Sequence, residues 1–184
     1  SVGVPGIPAL LEVAHSKWGK TPWTDLFKRA IELAENGFIV SDRLSGLLAD
    51  EYQRMSFSVE TKSYFFPNGK PLAQGDVLVN REYANLLRKL ADQGSDVFYF
   101  GPIADAIVSR IRDSVGKVGL LDRDDLANYA VKERPAICAK FRNYDVCGMG
   151  PPSSGAIGVG QILGMINIYP MVKMRDPQTL RLIG

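Results

Sequence analysis

Apolar residues recur at helical spacing through most of the first 130 positions. Residues 7–18 carry one apolar face and reach a stop signal at Gly19. Thr21-Pro22 has the form of a helix start, with Leu26, Phe27, Ala30, Ile31 and Ala34 as the expected buried stripe and Gly37 as the terminator. Ser41 is placed to cap a third helix bearing Leu44, Leu47, Leu48 and Tyr52. Asn80 is placed to cap another, with Tyr83, Leu86, Leu87 and Leu90, ending at Gly94. Gly101-Pro102 opens a further helix with Ile103, Ile107, Val108 and Ile111 on one side. Asp122 and Asp125 form a capping pair before a short helix to Tyr129. Between these, "YFFPNGKPLAQGDVLV" has turn signals at Pro67-Asn68-Gly69 and Gln74-Gly75-Asp76, so residues 56–79 read as short extended segments around a loop.

The period changes after residue 130. "RPAICAKFRNYDVCGMG" alternates in part and is rich in strand formers, with Arg142-Asn143 where a two-residue turn belongs. Counting outward from that turn sets Phe141 opposite Tyr144, Lys140 opposite Asp145, Ala139 opposite Val146 and Cys138 opposite Cys147. The cysteines then fall on a non-hydrogen-bonded pair, where Cα atoms are about 4.5–5.5 Å apart. They are the candidate disulfide, and the hairpin spans residues 135–149.

The segment after the hairpin, "GMGPPSSGAIGVGQILG", admits three chemistries. A dinucleotide-binding loop would follow a parallel strand, and Pro151-Pro152 removes two donors that phosphate oxygens need. A serine nucleophile would need a base, yet "PSSGA" is not a nucleophile elbow, and the one histidine, His15, is far away in sequence. In the structural reading, Pro151 and Pro152 stiffen the exit from the strand. Ser153 or Ser154 caps the next helix by accepting from its free N–H groups. Gly155, Gly158, Gly160 and Gly164 give that helix a smooth side at about 1 kcal/mol each, which implies that another backbone packs against it.

Composition narrows the field. The 184 residues are 46% apolar and 23% charged with a net charge of +2, ordinary for one globular domain or part of one and too nearly neutral for a nucleic-acid or acidic-surface binder. No apolar run is long enough to span a membrane. Two cysteines and one histidine make neither a disulfide scaffold nor a structural zinc site, so no metal and no cofactor are expected. The opening residues and the short stretch after Asp176-Pro177 read as truncations. The expectation is therefore a single partial domain over 1–184, truncated at both ends. Its portions are 1–130, mainly helical, and 131–184, a hairpin with a packing helix.

Taken together, the stretches resemble the large subunit of the γ-glutamyltransferase (γ-glutamyltranspeptidase) family. The resemblance runs through "GVPGIPALLE", "PWTDLFKRAIELAENGFIVSDRL", "FFPNGKPLAQGDVLVNREYANLLRKLADQGSDVFYFGPIADAIV", "LLDRDDLANYAVKERPAI" and "YDVCGMGPPSSGAIGVGQILGMI". Gly150 stands where a third proline is common, and Ala156 where a second glycine is common. The resemblance implies an α+β fragment of an N-terminal nucleophile hydrolase (αββα) fold. It also implies a precursor that cuts itself into two subunits. The new terminal threonine then attacks γ-glutamyl amides such as glutathione and passes the γ-glutamyl group to water or an amino acid. None of Thr21, Thr24, Thr61 and Thr179 begins the T-x-H segment that such a nucleophile needs. No catalytic or substrate-binding residue therefore carries over, and this stretch alone is expected to be inactive. The resemblance implies the small subunit and remaining large-subunit segments as partners, small γ-glutamyl peptides as substrates and a periplasmic or extracellular place of work. A non-catalytic binding or assembly domain on the same scaffold is the alternative. The isolated piece is expected to self-associate through the hairpin or the helix after Ser154.

Overall fold

The computed structural model describes residues 3–56, 58–113 and 118–169, and the chain divides into two compact units, Ser1–Val131 and Lys132–Gly184. The expected truncation at residues 176–184 lies outside the described residues.

The first unit is helical. It runs through α1 (Ile7–Trp18), a 3-10 turn (Trp23–Phe27), α2 (Lys28–Asn36), α3 (Asp42–Asp50), α4 (Tyr52–Met55) and α5 (Val59–Phe65). It continues through α6 (Arg81–Gln93), α7 (Asp96–Tyr99), α8 (Pro102–Arg112) and α9 (Arg123–Ala127). Two-residue strands β1 (Phe38–Ile39) and β2 (Val77–Leu78) pair antiparallel. The caps act as their residue types dictate. The side chains of Ser41 and Asn80 accept from the N–H groups of Leu44 and Tyr83, at 3.2 and 2.8 Å. Asp122 and Asp125 form a reciprocal capping box. Gly37 ends α2 at φ +85°, in the left-handed region that a residue without Cβ enters freely.

Three expectations are corrected. Thr21 does not cap α2; the chain enters through Pro22 into a 3-10 turn, and α2 begins only at Lys28. Residues 59–65 are α-helical rather than extended, because the Ser58 hydroxyl accepts from the Thr61 N–H at 3.3 Å and starts a turn there. Leu26, Ala30, Leu47 and Tyr83 are exposed, since no described element of the unit covers their side of the chain.

Three apolar clusters hold the unit. Val40, Leu48, Phe66, Leu72 and Leu78 form one, with the Tyr52 ring edge-on to Phe66 at 5.0 Å between centroids. Tyr99, Ala104, Val108, Leu121 and Leu126 form the second, and Ala34, Ala84 and Leu87 the third. Polar contacts fix the ends of helices to these clusters. Gly6 precedes α1 with no side chain to cap it, and the Tyr99 hydroxyl substitutes, accepting from the Ala9 N–H at 3.3 Å while donating to the Pro5 carbonyl at 2.8 Å. The Glu12 carboxylate accepts from the N–H of buried Ser95 at 2.9 Å and from its hydroxyl, which ties α1 to the start of α7. Tyr99→Phe leaves the Pro5 and Ala9 backbone groups unpaired. It is expected to cost about 1–2 kcal/mol in urea unfolding and to speed amide exchange at Ala9.

The second unit is a hairpin of β3 (Ile137–Phe141) and β4 (Tyr144–Gly148), followed by α10 (Gly155–Ile166). Its register is the one counted from the sequence, with Cys138 opposite Cys147 and Lys140 opposite Asp145.

Candidate functional site

Alternation sorts the hairpin's side chains onto two faces. Ala139, Val146 and Gly148 lie half-buried on the face that meets α10. The approach is close because the facing residues are small. A Cβ placed on Gly160 would sit 3.1 Å from the Cβ of Ala139, and one on Gly148 would sit 3.0 Å from the Cβ of Ala156. The smooth-side expectation therefore holds at Gly160 only; Gly158 and Gly164 face open space, and Gly155 meets little beyond Ser153. The opposite face carries the Lys140–Asp145 ion pair at 2.8 Å and a disulfide between Cys138 and Cys147, whose Cα atoms are 4.1 Å apart.

The loop from β4 to α10 contains Pro151, Pro152, Ser153, Ser154 and Gly155. Gly150 is buried at its start, and the Pro151-Pro152 peptide bond is cis. The Ser153 N–H donates to the Gly150 carbonyl at 3.1 Å, which closes the turn. Of the two serines expected to cap α10, Ser154 occupies the cap position without a side-chain bond, because its backbone is already helical. The Ser153 hydroxyl instead accepts a long bond, 3.4 Å, from the Gly155 N–H. The first turn of α10 thus keeps donors without side-chain partners, but the two prolines bring none to join them.

Arg142 is a residue that sequence reasoning used only as a turn position. It adopts φ +55°, in the left-handed region that a residue with a Cβ seldom enters. Its N–H donates to the Asn167 side chain at 3.1 Å. Its guanidinium donates to the Asn167 carbonyl at 2.8 Å and also reaches the Ile166 and Tyr169 carbonyls. The turn therefore supplies a cation and a fork of donors to the carboxyl end of α10, where carbonyls lack helical partners and the dipole favours positive charge. The Arg142 Nε atom is buried without a partner.

Among the described residues of the helical unit, no nucleophile and base are assembled around His15. Its Nε2 lies 2.7 Å from the Thr21 carbonyl, which can only accept, so that nitrogen carries the hydrogen. The ring packs against Trp23 at 5.2 Å. Hydrogen bonds from the Ser58 hydroxyl, and then from backbone and Arg110, hold the Glu60 carboxyl at about 2, while burial raises the Tyr99 hydroxyl. Among the described residues no cluster of three histidine, cysteine or acidic side chains is arranged to hold a metal ion. No described helix is long and apolar enough to cross a membrane. An open groove of about 760 Å³ between α6 and α8 has an apolar floor of Leu86, Ile103 and Ile107, with Glu82, Lys89 and Arg110 around it. What the arrangement offers is a strand–loop–helix frame.

Comparison with known proteins places this frame. The sequence profile of the gamma-glutamyltranspeptidase family matches residues 1–183. A glutathione hydrolase proenzyme of Arthroderma benhamiae is 35% identical over 181 residues, which cover 97% of this chain and 30% of that protein. One from Escherichia coli is 36% identical over 176 residues, 93% of this chain and 29% of that protein. The crystal structure of Helicobacter pylori gamma-glutamyltranspeptidase superimposes with a TM-score of 0.88 at 30% identity, over 96% of this chain and 50% of that one. The chain thus spans about 30% of the length of the curated relatives it matches.

Proposed function

The chain belongs to the gamma-glutamyltranspeptidase family, and we propose that the protein it forms part of cleaves γ-glutamyl amides such as glutathione. In this reading a terminal threonine outside these 184 residues attacks the γ-carbonyl. The amine of the substrate leaves, and the γ-glutamyl ester formed on the threonine is passed to water or to an amino acid. The terminal amine of that threonine serves as the base for its own hydroxyl. The present chain acts as one partial domain of the αββα scaffold. Its partners are the small subunit and the remaining large-subunit segments of the same precursor, and the place of work is periplasmic or extracellular.

The observation that carries the reading is the family match over residues 1–183, which includes a hairpin, a Pro-Pro-Ser-Ser-Gly loop and a helix in that order. A further observation supports the role of scaffold. On α10, Ile157, Val159, Ile162 and Met165 are exposed, so the helix is apolar on sides that the hairpin does not reach. We assign that surface to burial against the rest of the precursor, and its exposure is the reason we propose that the separated chain self-associates.

The test uses the full reading frame beside the 184-residue chain. Mass spectrometry is expected to find the full product cut into two pieces, the second beginning with threonine. That product is expected to release p-nitroaniline from γ-glutamyl-p-nitroanilide, and the 184-residue chain only at the blank rate. Turnover by the short chain overturns the placement of the chemistry elsewhere. An uncut, inactive full product overturns the enzyme reading in favour of a binding or assembly domain.

A further inference from the structure

The disulfide has a feature that a purely structural staple does not need. Cys138 and Cys147 are both exposed, and they lie on the hairpin face opposite the one that α10 covers. The neighbouring Lys140–Asp145 pair on that face is charge-balanced, so it opposes neither a neutral nor an anionic reagent. A disulfide breaks by in-line attack of a thiolate on sulfur, and access to the sulfur is one condition that governs the rate.

We propose that the Cys138–Cys147 bond, set across the exposed face of the β3–β4 ladder, is an exchange site for low-molecular-weight thiols. In the first step a small thiolate attacks one cysteine sulfur. The S–S bond breaks, a mixed disulfide forms, and the other cysteine leaves as a thiolate that takes a proton from water. A second small thiolate attacks the small-molecule sulfur of the mixed disulfide. It releases the remaining cysteine and yields the oxidised small-molecule disulfide. Two thiols supply the two electrons that reduce the protein bond. Glutathione is the thiol that the proposed reaction brings to this protein, and only that identification rests on the proposed function.

The site has a mechanical consequence. A two-stranded hairpin is marginal without support, and among the described residues this one is supported by the disulfide on one face and α10 on the other. Cys147 is followed directly by Gly148, which lies against Ala156 in the first turn of α10. Opening the bond therefore loosens the strand that delivers the chain into the Pro151–Gly155 loop, and with it the start of the helix.

The experiment incubates the full-length protein with graded ratios of reduced to oxidised glutathione, quenches by alkylation and maps the cysteines by mass. The expected result is a glutathione adduct on Cys138 or Cys147 at intermediate ratios and two free thiols at reducing ones. Amide exchange over 137–148 and 155–166 is expected to rise about tenfold or more on reduction, with little change around Phe66. A Cys147→Ser variant is expected to accept one glutathione on Cys138. The inference is overturned if the folded protein keeps its disulfide throughout the series, or if the bond opens with no change in exchange. A parallel arm uses cysteamine, which has no γ-glutamyl amide. Exchange with both thiols, without amide cleavage, supports the site while overturning the reaction; amide cleavage without exchange does the reverse.

Discussion

Phe66→Ala is expected to lower the unfolding free energy by about 3–5 kcal/mol, the range for removing a large side chain from a packed core. Phe66 is 2% exposed and sits where five separate pieces of chain meet. Val40 comes from the segment after β1, Leu48 from α3, Tyr52 from α4, Leu72 from the loop and Leu78 from β2. Its own backbone is held on both sides. The Phe66 N–H donates to the Lys62 carbonyl at 2.9 Å, and the Leu72 N–H donates to the Phe65 carbonyl at 3.0 Å. The surrounding elements are thus tied to their own partners and can collapse only partly into the space left, so the cavity cost adds to the lost transfer energy. Tyr52 also loses its edge-on ring contact, worth about 0.5–1.5 kcal/mol in such pairs. Phe66→Leu keeps most of the volume and is expected to cost about 1–1.5 kcal/mol. Urea unfolding followed by far-ultraviolet circular dichroism measures both. A loss below about 1 kcal/mol for the alanine variant would mean that this cluster is not a core.

That cluster also marks where the sequence could be read and where it could not. Ser41, Asn80 and the Asp122–Asp125 pair announce their helices because a cap is a local device: the side chain and the N–H it accepts from are three residues apart. The β3–β4 register was countable for the same reason, since a two-residue turn fixes every later pair. Residues 59–65 escaped because the Pro67-Asn68-Gly69 turn dominates that stretch and the Ser58 cap is followed by only seven helical residues. The signal was present in Ser58 and in Glu60 of the first turn. Exposure was not legible at all. Leu26, Leu47 and Tyr83 fit the helical period, but whether an apolar position is covered depends on which distant element docks there.

The loop shows the same division. A strand, a stiff Pro-Pro exit and a following helix were readable at Pro151–Gly155. The assignment of the cap was not, because Ser154 has helical φ and ψ and its hydroxyl is poorly placed to act. The ability of α10 to lie on the hairpin depends on Gly160 meeting Ala139 and Gly148 meeting Ala156, a match of small residues between helix and strands that no local pattern announces.

Arg142 extends that lesson into a second large expected effect. Arg142→Ala is expected to destabilise the hairpin–helix unit by about 2–3 kcal/mol, because hydrogen bonds from a charged group contribute about 1.5–3 kcal/mol and several are lost together. Alanine keeps a side chain in the left-handed region at φ +55° while removing the donors that hold the Ile166, Asn167 and Tyr169 carbonyls. It also removes the guanidinium that lies 5.3 Å from the Phe141 ring centroid. Two further substitutions separate these contributions. Arg142→Lys retains the charge at the helix end but not the planar fork, so its cost should be smaller than that of alanine. Arg142→Gly removes the same bonds but is free of the left-handed backbone penalty of about 1–2 kcal/mol, so it should fall between lysine and alanine. Amide exchange in the last turn of α10 and in the strand ends beside residue 142 reads the effect locally, without requiring the rest of the chain to unfold. Should glycine prove more stable than arginine, the turn backbone alone would set the stability here, and the contacts from Arg142 to the end of α10 would be incidental. The expected order of lysine, glycine and alanine instead makes one turn residue the bolt that joins the tip of the hairpin to the carboxyl end of its helix, at the opposite end of both from the Pro-Pro-Ser-Ser-Gly loop.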